Sequence, residues 1–190
     1  MNAINILIVG VGGQGTLLAS KLMGKIYTDA GLDVKVSEVH GMSQRGGSVV
    51  TYVRADKKVY SPVIDMGEAD LIISFEALES ARWLPYLKKG GTIVSNTAQI
   101  DPMPVIMGNA VYPENILNKI TDAGVKVVSA DALSLAVQAG SAKAVNIVLL
   151  GIAAKALGLE YEVCINAIRA TVPAKTIEIN EKAFDLGYNL

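Results

Sequence analysis

A continuous apolar run, Asn5-Ile6-Leu7-Ile8-Val9, breaks into Gly10-Val11-Gly12-Gly13-Gln14-Gly15, and helical spacing then takes over across residues 16–29 until Gly31 supplies a stop. A run apolar at every position is the pattern of a parallel strand buried on both faces. Strand, glycine turn and helix in that order open a doubly wound α/β fold.

The chain beyond this unit alternates in the same sense. Residues 34–39 alternate apolar and polar side chains and read as a strand that delivers the chain into a glycine- and arginine-rich stretch. Residues 48–54 are strongly β-prone, and 55–58 look like a turn into a short strand at 59–60; that hairpin makes the sheet mixed. Residues 70–75 form another buried-strand run, followed by a helix over 76–88 with Pro85 near its end. Gly90 and Gly91 turn the chain into a strand over 92–96. Residues 100–113 hold three prolines and read as loop, with at most a short strand near Val105. A helix over 115–122 and a strand over 125–128 follow. Helices then dominate, at 132–138, 144–157, 161–169 and 178–185. The expectation is one domain, 1–190, with a three-layer Rossmann-like α/β fold, a mostly parallel sheet, an antiparallel hairpin and a helical C-terminal part. No linker, repeat or low-complexity tract divides it.

Composition excludes several classes of function. Seventeen basic residues against 18 acidic ones leave no charge excess, and no Lys/Arg cluster is interleaved with aromatics as a nucleic-acid groove requires. The longest apolar run, residues 147–154, is far short of the roughly 20 residues of a membrane span. The N-terminus lacks the basic leader of a signal peptide. A single cysteine, Cys164, excludes an internal disulfide and any iron–sulfur or zinc site built by this chain alone. It falls with Val163, Ala167 and Ile168 on an apolar helix face, as a buried structural thiol does. The cytoplasm fits this usage. With half its residues hydrophobic, the chain can also leave apolar surface for a partner, as an obligate subunit does.

Two stretches carry candidate chemistry. Gly10, Gly12, Gly13, Gln14 and Gly15 satisfy the phosphate-type pattern between a strand and a helix, where backbone N–H groups can cradle an anion. The same glycines also serve a turn that only lets strand and helix approach closely, and both readings stand. Glu38 sits near the place of the acidic residue that a nicotinamide site puts at the end of the second strand. From Glu38 to Gly47 the chain reads EVHGMSQRGG. His40, Ser43, Gln44 and Arg45 there, beside Gly46 and Gly47, make a functional loop on a rigid scaffold. Arg45 is its strongest candidate, a planar fork between small residues, able to grip a phosphate or carboxylate or to pair with Glu38. His40, the only histidine, has no nucleophile and acid around it and reads as structural. Asn146 interrupts an apolar helix and needs a partner, either another helix, a cap or a ligand. Lys143 opens that helix and is solvated or faces an anion.

GVGGQG, EVHGMSQRGG and AVNIVLLG around Asn146, taken together, resemble the gamma-type domain of the 2-oxoacid:ferredoxin oxidoreductases across nearly the whole chain, closest to their indolepyruvate branch. The resemblance implies a small subunit of an enzyme that oxidatively decarboxylates arylpyruvates to acyl-CoA and passes electrons to ferredoxin. It implies no cofactor on this chain. Thiamine diphosphate and the iron–sulfur clusters would belong to a larger partner subunit, with CoA as co-substrate and the glycine turn and Arg45 loop shaping the CoA side or the subunit seam. A stand-alone NAD(P)-dependent reductase and a non-catalytic assembly subunit remain the other readings of the residues.

Overall fold

The computed structural model describes residues 2–40 and 47–190, His40 by its backbone only. Its centre is a six-stranded sheet in the order β2-β3-β1-β4-β5-β6. The strands are β1 (Ile4–Val11), β2 (Asp33–His40), β3 (Ser48–Asp56), β4 (Ala69–Ser74), β5 (Leu87–Asn96) and β6 (Lys126–Ala130). β1, β4, β5 and β6 run parallel, whereas β3 is antiparallel to both of its neighbours. The predicted three-layer, mostly parallel α/β architecture is the one observed.

Helices cover both faces. α1 (Thr16–Asp29) and the C-terminal helices α5 (Ala132–Ala139), α6 (Val145–Ala156), α7 (Tyr161–Thr171) and α8 (Ile177–Tyr188) enclose the larger core, around Ile6, Ile8, Leu71 and Ile73. α2 (Ala77–Trp83) and α4 (Ile116–Asp122) enclose the smaller one, around Leu7, Val9, Ile72 and Ile93. Successive residues of β1 and β4 therefore feed opposite cores, which is why both strands are apolar throughout. α6 is buried nearly all round because it lies between the sheet and α8. Gly151 and Gly187 let these two helices touch: a Cβ at Gly151 would stand 2.3 Å from the Phe184 carbonyl oxygen, and one at Gly187 2.1 Å from that of Val148. Cys164 is buried in the larger core, and burial pushes its thiol up to about 11.

Four expectations need correction. The hairpin of 48–54 with 59–60 does not form. β2 and β1 already occupy both edges of β3, so no edge remains for a further strand; Val59 is instead a buried plug whose N–H donates to Asp33 Oδ2 at 3.0 Å. The helix expected over 76–88 stops at Trp83, because Pro85 enters a 3-10 turn at Leu84–Tyr86 and β5 starts directly after it. Gly90 and Gly91 lie inside β5, at an irregularity where the pairing jumps from Ala69↔Leu87 to Leu71↔Thr92. Near Val105 the chain makes the short helix α3 (Met103–Ile106), since Pro104 at its start suits a first helical turn and not a strand interior.

Candidate functional site

The glycine turn leaves β1 at the C-terminal end of the parallel strands, beside β4, where the chain switches from one side of β1 to the other. Open α/β sheets bind ligands at such points. Each glycine has its own reason. A Cβ at Gly10 would stand 2.9 Å from that of Phe75, so Gly10 serves close packing against the end of β4. Gly13 and Gly15 have φ of 98° and 84°, a region that side-chain-bearing residues avoid. Gln14 folds back over the turn: its Oε1 accepts from the Val11 N–H at 2.8 Å, and its Nε2 donates to the Phe75 carbonyl at 3.2 Å. Its amide is thus a staple of the turn, not a group held out toward a ligand.

Gly15 caps α1 with no side-chain cap, and no acidic side chain lies in the first turn. The Leu18 N–H turns back to the Gly15 carbonyl at 3.2 Å, and with no side-chain cap the N–H groups ahead of it, at the start of a 14-residue helix, can receive an anion. Asn146, in the first turn of α6, reaches the same place. Its Nδ2 donates to the Gly15 carbonyl at 3.2 Å, while its buried Oδ1 has no partner among the described residues. The amide predicted to bond a helix or a cap therefore bonds the cap residue of α1.

A groove of about 640 Å³ opens here, with Gly13, Gln14, Gly15, Asn96 and Lys143 as its polar wall and Ala98, Ile100, Leu133 and Val145 as its apolar one. Asn96 ends β5 and is buried; its Nδ2 donates to the Phe75 carbonyl at 3.3 Å and its Oδ1 accepts from the Ala132 N–H at 3.1 Å. The apolar wall is held from behind by Glu76, whose Oε1 accepts from the Ile100 N–H at 3.1 Å and from the Tyr112 hydroxyl. Burial first, and then that bond, push the Tyr112 phenol well above its ordinary value. The arrangement suits a ligand with an anionic end at the turn and an apolar body across Ile100 and Leu133.

Glu38 is not on this groove in the way a ribose-binding acid would be. Its Oε2 accepts from Thr51 Oγ1 at 3.2 Å and Thr16 Oγ1 at 3.4 Å, tying β2 to β3 and to the start of α1. Gly47 lies beside the turn, its carbonyl accepting from the Gly12 N–H at 2.9 Å. Ser43, Gln44, Arg45 and Gly46, and the proposed pairing of Arg45 with Glu38, lie outside the described residues, as does the side chain of His40. The structure thus gathers Gly13, Gln14, Gly15 and Lys143 around one groove, bonds Asn146 to Gly15, and ties Glu38 and Gly47 to residues of the turn and of the helix that follows it. Sequence reasoning missed Thr16, Thr51, Ser48, Glu79 and Asn96. Asn96 had a usable signal, a polar residue ending a buried strand; the others are ordinary hydroxyls and acids until the fold brings them together.

The family model described as pyruvate ferredoxin/flavodoxin oxidoreductase matches residues 5–190. Indolepyruvate oxidoreductase subunit IorB of Thermococcus kodakarensis is 46% identical, over 98% of this chain and 95% of that protein. Pyruvate synthase subunit PorC of Methanocaldococcus jannaschii is 29% identical, over 98% and 96% respectively. Among solved structures, the gamma subunit of a keto/oxoacid ferredoxin oxidoreductase from Geobacter sulfurreducens superposes with a TM-score of 0.72 at 22% identity, covering 98% of this chain and 96% of that one, a likeness of fold.

Proposed function

The chain belongs to the pyruvate ferredoxin/flavodoxin oxidoreductase family, and from that membership we propose that it is the small subunit of a 2-oxoacid:ferredoxin oxidoreductase acting on indolepyruvate and other arylpyruvates. The observation that carries the substrate class is the fall in identity, from 46% with an indolepyruvate oxidoreductase subunit to 29% with a pyruvate synthase subunit, at equal coverage of this chain. The overall reaction converts a 2-oxo acid and CoA into acyl-CoA, carbon dioxide, a proton and two electrons, the electrons leaving to ferredoxin. When bound to the larger partner subunit, thiamine diphosphate supplies the carbanion stabilisation that decarboxylation needs, and iron–sulfur clusters there accept electrons. The residues of this chain do not fit a cluster: its one cysteine is buried with its thiol pushed up to about 11, and no group of three His, Cys, Asp or Glu among the described residues could hold a metal ion. The chain binds and positions; it supplies no redox centre of its own.

The role we assign to the groove is to hold part of CoA at the seam with the partner. Phosphate oxygens accept from the first N–H groups of α1 and pair with Lys143 and Arg45, while Ile100, Leu133 and Val145 cover the apolar stretch of the molecule. The bonds that already engage Glu38 weigh against the nicotinamide alternative, since a ribose would have to displace two hydroxyls. No helix among the described residues is long and apolar enough to cross a membrane, and the lone reduced cysteine suits the cytoplasm. The test is the reconstituted complex with Arg45→Lys. The variant keeps the charge but loses the bidentate fork, worth about 1.5–3 kcal/mol, or roughly ten- to a hundredfold. An apparent CoA requirement raised by that factor supports the CoA reading; weaker subunit association at unchanged CoA dependence moves Arg45 to the seam; no change in either titration removes it from the site.

A further inference from the structure

Asn96 at the end of β5, and Ala98 and Ile100 after it, form one side of the groove. Each of the three is tied to the corner 75–77 that joins β4 to α2. The Phe75 carbonyl accepts from Asn96 Nδ2 at 3.3 Å, the Ala77 N–H donates to the Ala98 carbonyl at 2.9 Å, and Glu76 Oε1 accepts from the Ile100 N–H at 3.1 Å. The same Phe75 carbonyl accepts from Gln14 Nε2 at 3.2 Å, from the glycine turn on the other side of the groove. One corner therefore carries both sides.

Of the three ties, only the one to Ile100 is made by a side chain of the corner. Glu76 is 1% exposed, and so complete a burial of a carboxylate is costly unless its bonds require it. Capping α2 does not require it. Glu76 Oε2 does cap, accepting from the Glu79 N–H at 2.9 Å, but the shorter Ser, Thr, Asp and Asn are the usual residues for that task. The extra length serves Oε1, which reaches the Ile100 N–H 24 residues on and the Tyr112 hydroxyl 36 residues on. Ile100 and Tyr112 flank the loop 101–111, so one oxygen closes that loop where it meets the groove. All three groups bonded to Glu76 are donors, which suits a carboxylate because it offers only acceptors.

We propose that Glu76 is a positioning residue for the groove: acting through the Ile100 N–H, it holds the apolar wall at a fixed distance from the glycine turn and so sets how tightly the apolar stretch of CoA is gripped. The proposal rests on the reading of the groove given above. Two substitutions separate it from a capping role. Glu76→Asp keeps the charge and a side chain that caps helices, but is one methylene too short to hold Ile100 and Tyr112. Glu76→Gln keeps the length and one acceptor oxygen for Ile100 and Tyr112, and turns its NH2 toward the Glu79 N–H, so it is the cap that is lost.

In the reconstituted complex, Glu76→Asp should raise the KM for CoA several-fold with kcat within about twofold of the parent, and Glu76→Gln should leave both within about twofold. In the full chain by itself, hydrogen exchange at the Ile100 amide should speed up several-fold in Glu76→Asp and not in Glu76→Gln, while the unfolding midpoint should fall further in Glu76→Gln. Leu133→Asp, which puts a charge into the apolar wall directly, reports on the groove itself. Unchanged exchange at Ile100 in Glu76→Asp overturns the positioning role whatever the groove binds, and so does a KM raised more by Gln than by Asp, the order a cap alone would give. If exchange rises and Leu133→Asp raises the KM for CoA but Glu76→Asp does not, the positioning role fails while the reading of the groove stands. If exchange rises and neither Leu133→Asp nor Glu76→Asp moves that KM, the CoA reading of the groove falls and takes the proposal with it.

Discussion

Gly13 and Gly15 share a left-handed backbone but not the same surroundings, and the difference is measurable. A Cβ at Gly13 would meet nothing within 4 Å, whereas one at Gly15 would stand 3.0 Å from Asn146 Nδ2. Gly13→Ala should therefore cost only the backbone strain of about 1–2 kcal/mol. Gly15→Ala adds crowding against the amide that bonds its own carbonyl, an overpacking term of about 1–3 kcal/mol. Denaturant midpoints of the two variants should rank in that order, and equal midpoints would mean that Asn146 yields freely. Cys164 offers a second residue-level test. Its thiol is raised from 9.0 to about 11 by burial, so the folded state keeps a proton that the unfolded chain releases. The stability this contributes is fully present below about pH 9 and is lost as pH rises toward 11. Midpoints for the parent should fall more steeply across that window than those for Cys164→Ala, and parallel slopes would exclude the thiol as a cause. Tyr27, likewise raised by burial, keeps some slope in both proteins.

The crossing of α6 and α8 is the contact between elements most exposed to a single methyl group. The Cβ of Ala at position 151 or 187 would fall within 2.3 Å of backbone oxygen on the facing helix, and backbone cannot rotate away as a side chain can. Both helices favour Ala over Gly by about 1 kcal/mol intrinsically, so the sign of the effect discriminates. Gly151→Ala and Gly187→Ala should each destabilise by about 1–3 kcal/mol, the cost of overpacking, despite the better helix propensity; a raised unfolding temperature in either would show that the helices do not cross so closely in solution. Neither glycine stood out in the sequence, because a glycine inside a helical pattern carries no sign of what faces it. The elements themselves were legible where pattern suffices. Continuous apolar runs marked β1 and β4, and periodic spacing with a glycine stop marked α1, which ends as expected before Gly31. What failed was partner choice. Residues 59–60 are strand-like in isolation, but pairing depends on which edges of β3 are already filled, and β1 fills one of them from far along the chain, at Val11↔Ser48 through Ile4↔Ala55. The site divides in the same way: the glycine turn could be seen as a string, while the convergence of Asn146, Asn96 and Lys143 on it is a product of tertiary packing.

At the scale of the whole molecule, the chain leaves several large apolar side chains in solvent, among them Met103, Ile106, Met107 and Val111 around α3 and Leu133 and Val137 on α5. A monomer with a net charge of −1 has little electrostatic repulsion to keep such surface apart, as a subunit meant for a larger assembly can tolerate. The division of labour this implies can be tested by colour and metal content. A cluster needs several thiolates, and this chain offers one cysteine, inside the larger core, whose thiol stays protonated at neutral pH. Two copies brought together could not supply a ligand set either, since two thiols, each fully buried, fall short of one. Purified by itself, the chain should therefore be colourless, with no stoichiometric iron or sulfide, and anaerobic reconstitution with iron and sulfide should leave it so. Co-expressed with the larger partner proposed above, the brown colour should follow that partner through dissociation of the complex at high salt or mild denaturant, and the small subunit should again separate without metal. Stoichiometric iron and acid-labile sulfide on the separated small subunit would overturn the assignment of the redox centres to the partner, and with it the reading of this chain as the binding and positioning half of the enzyme.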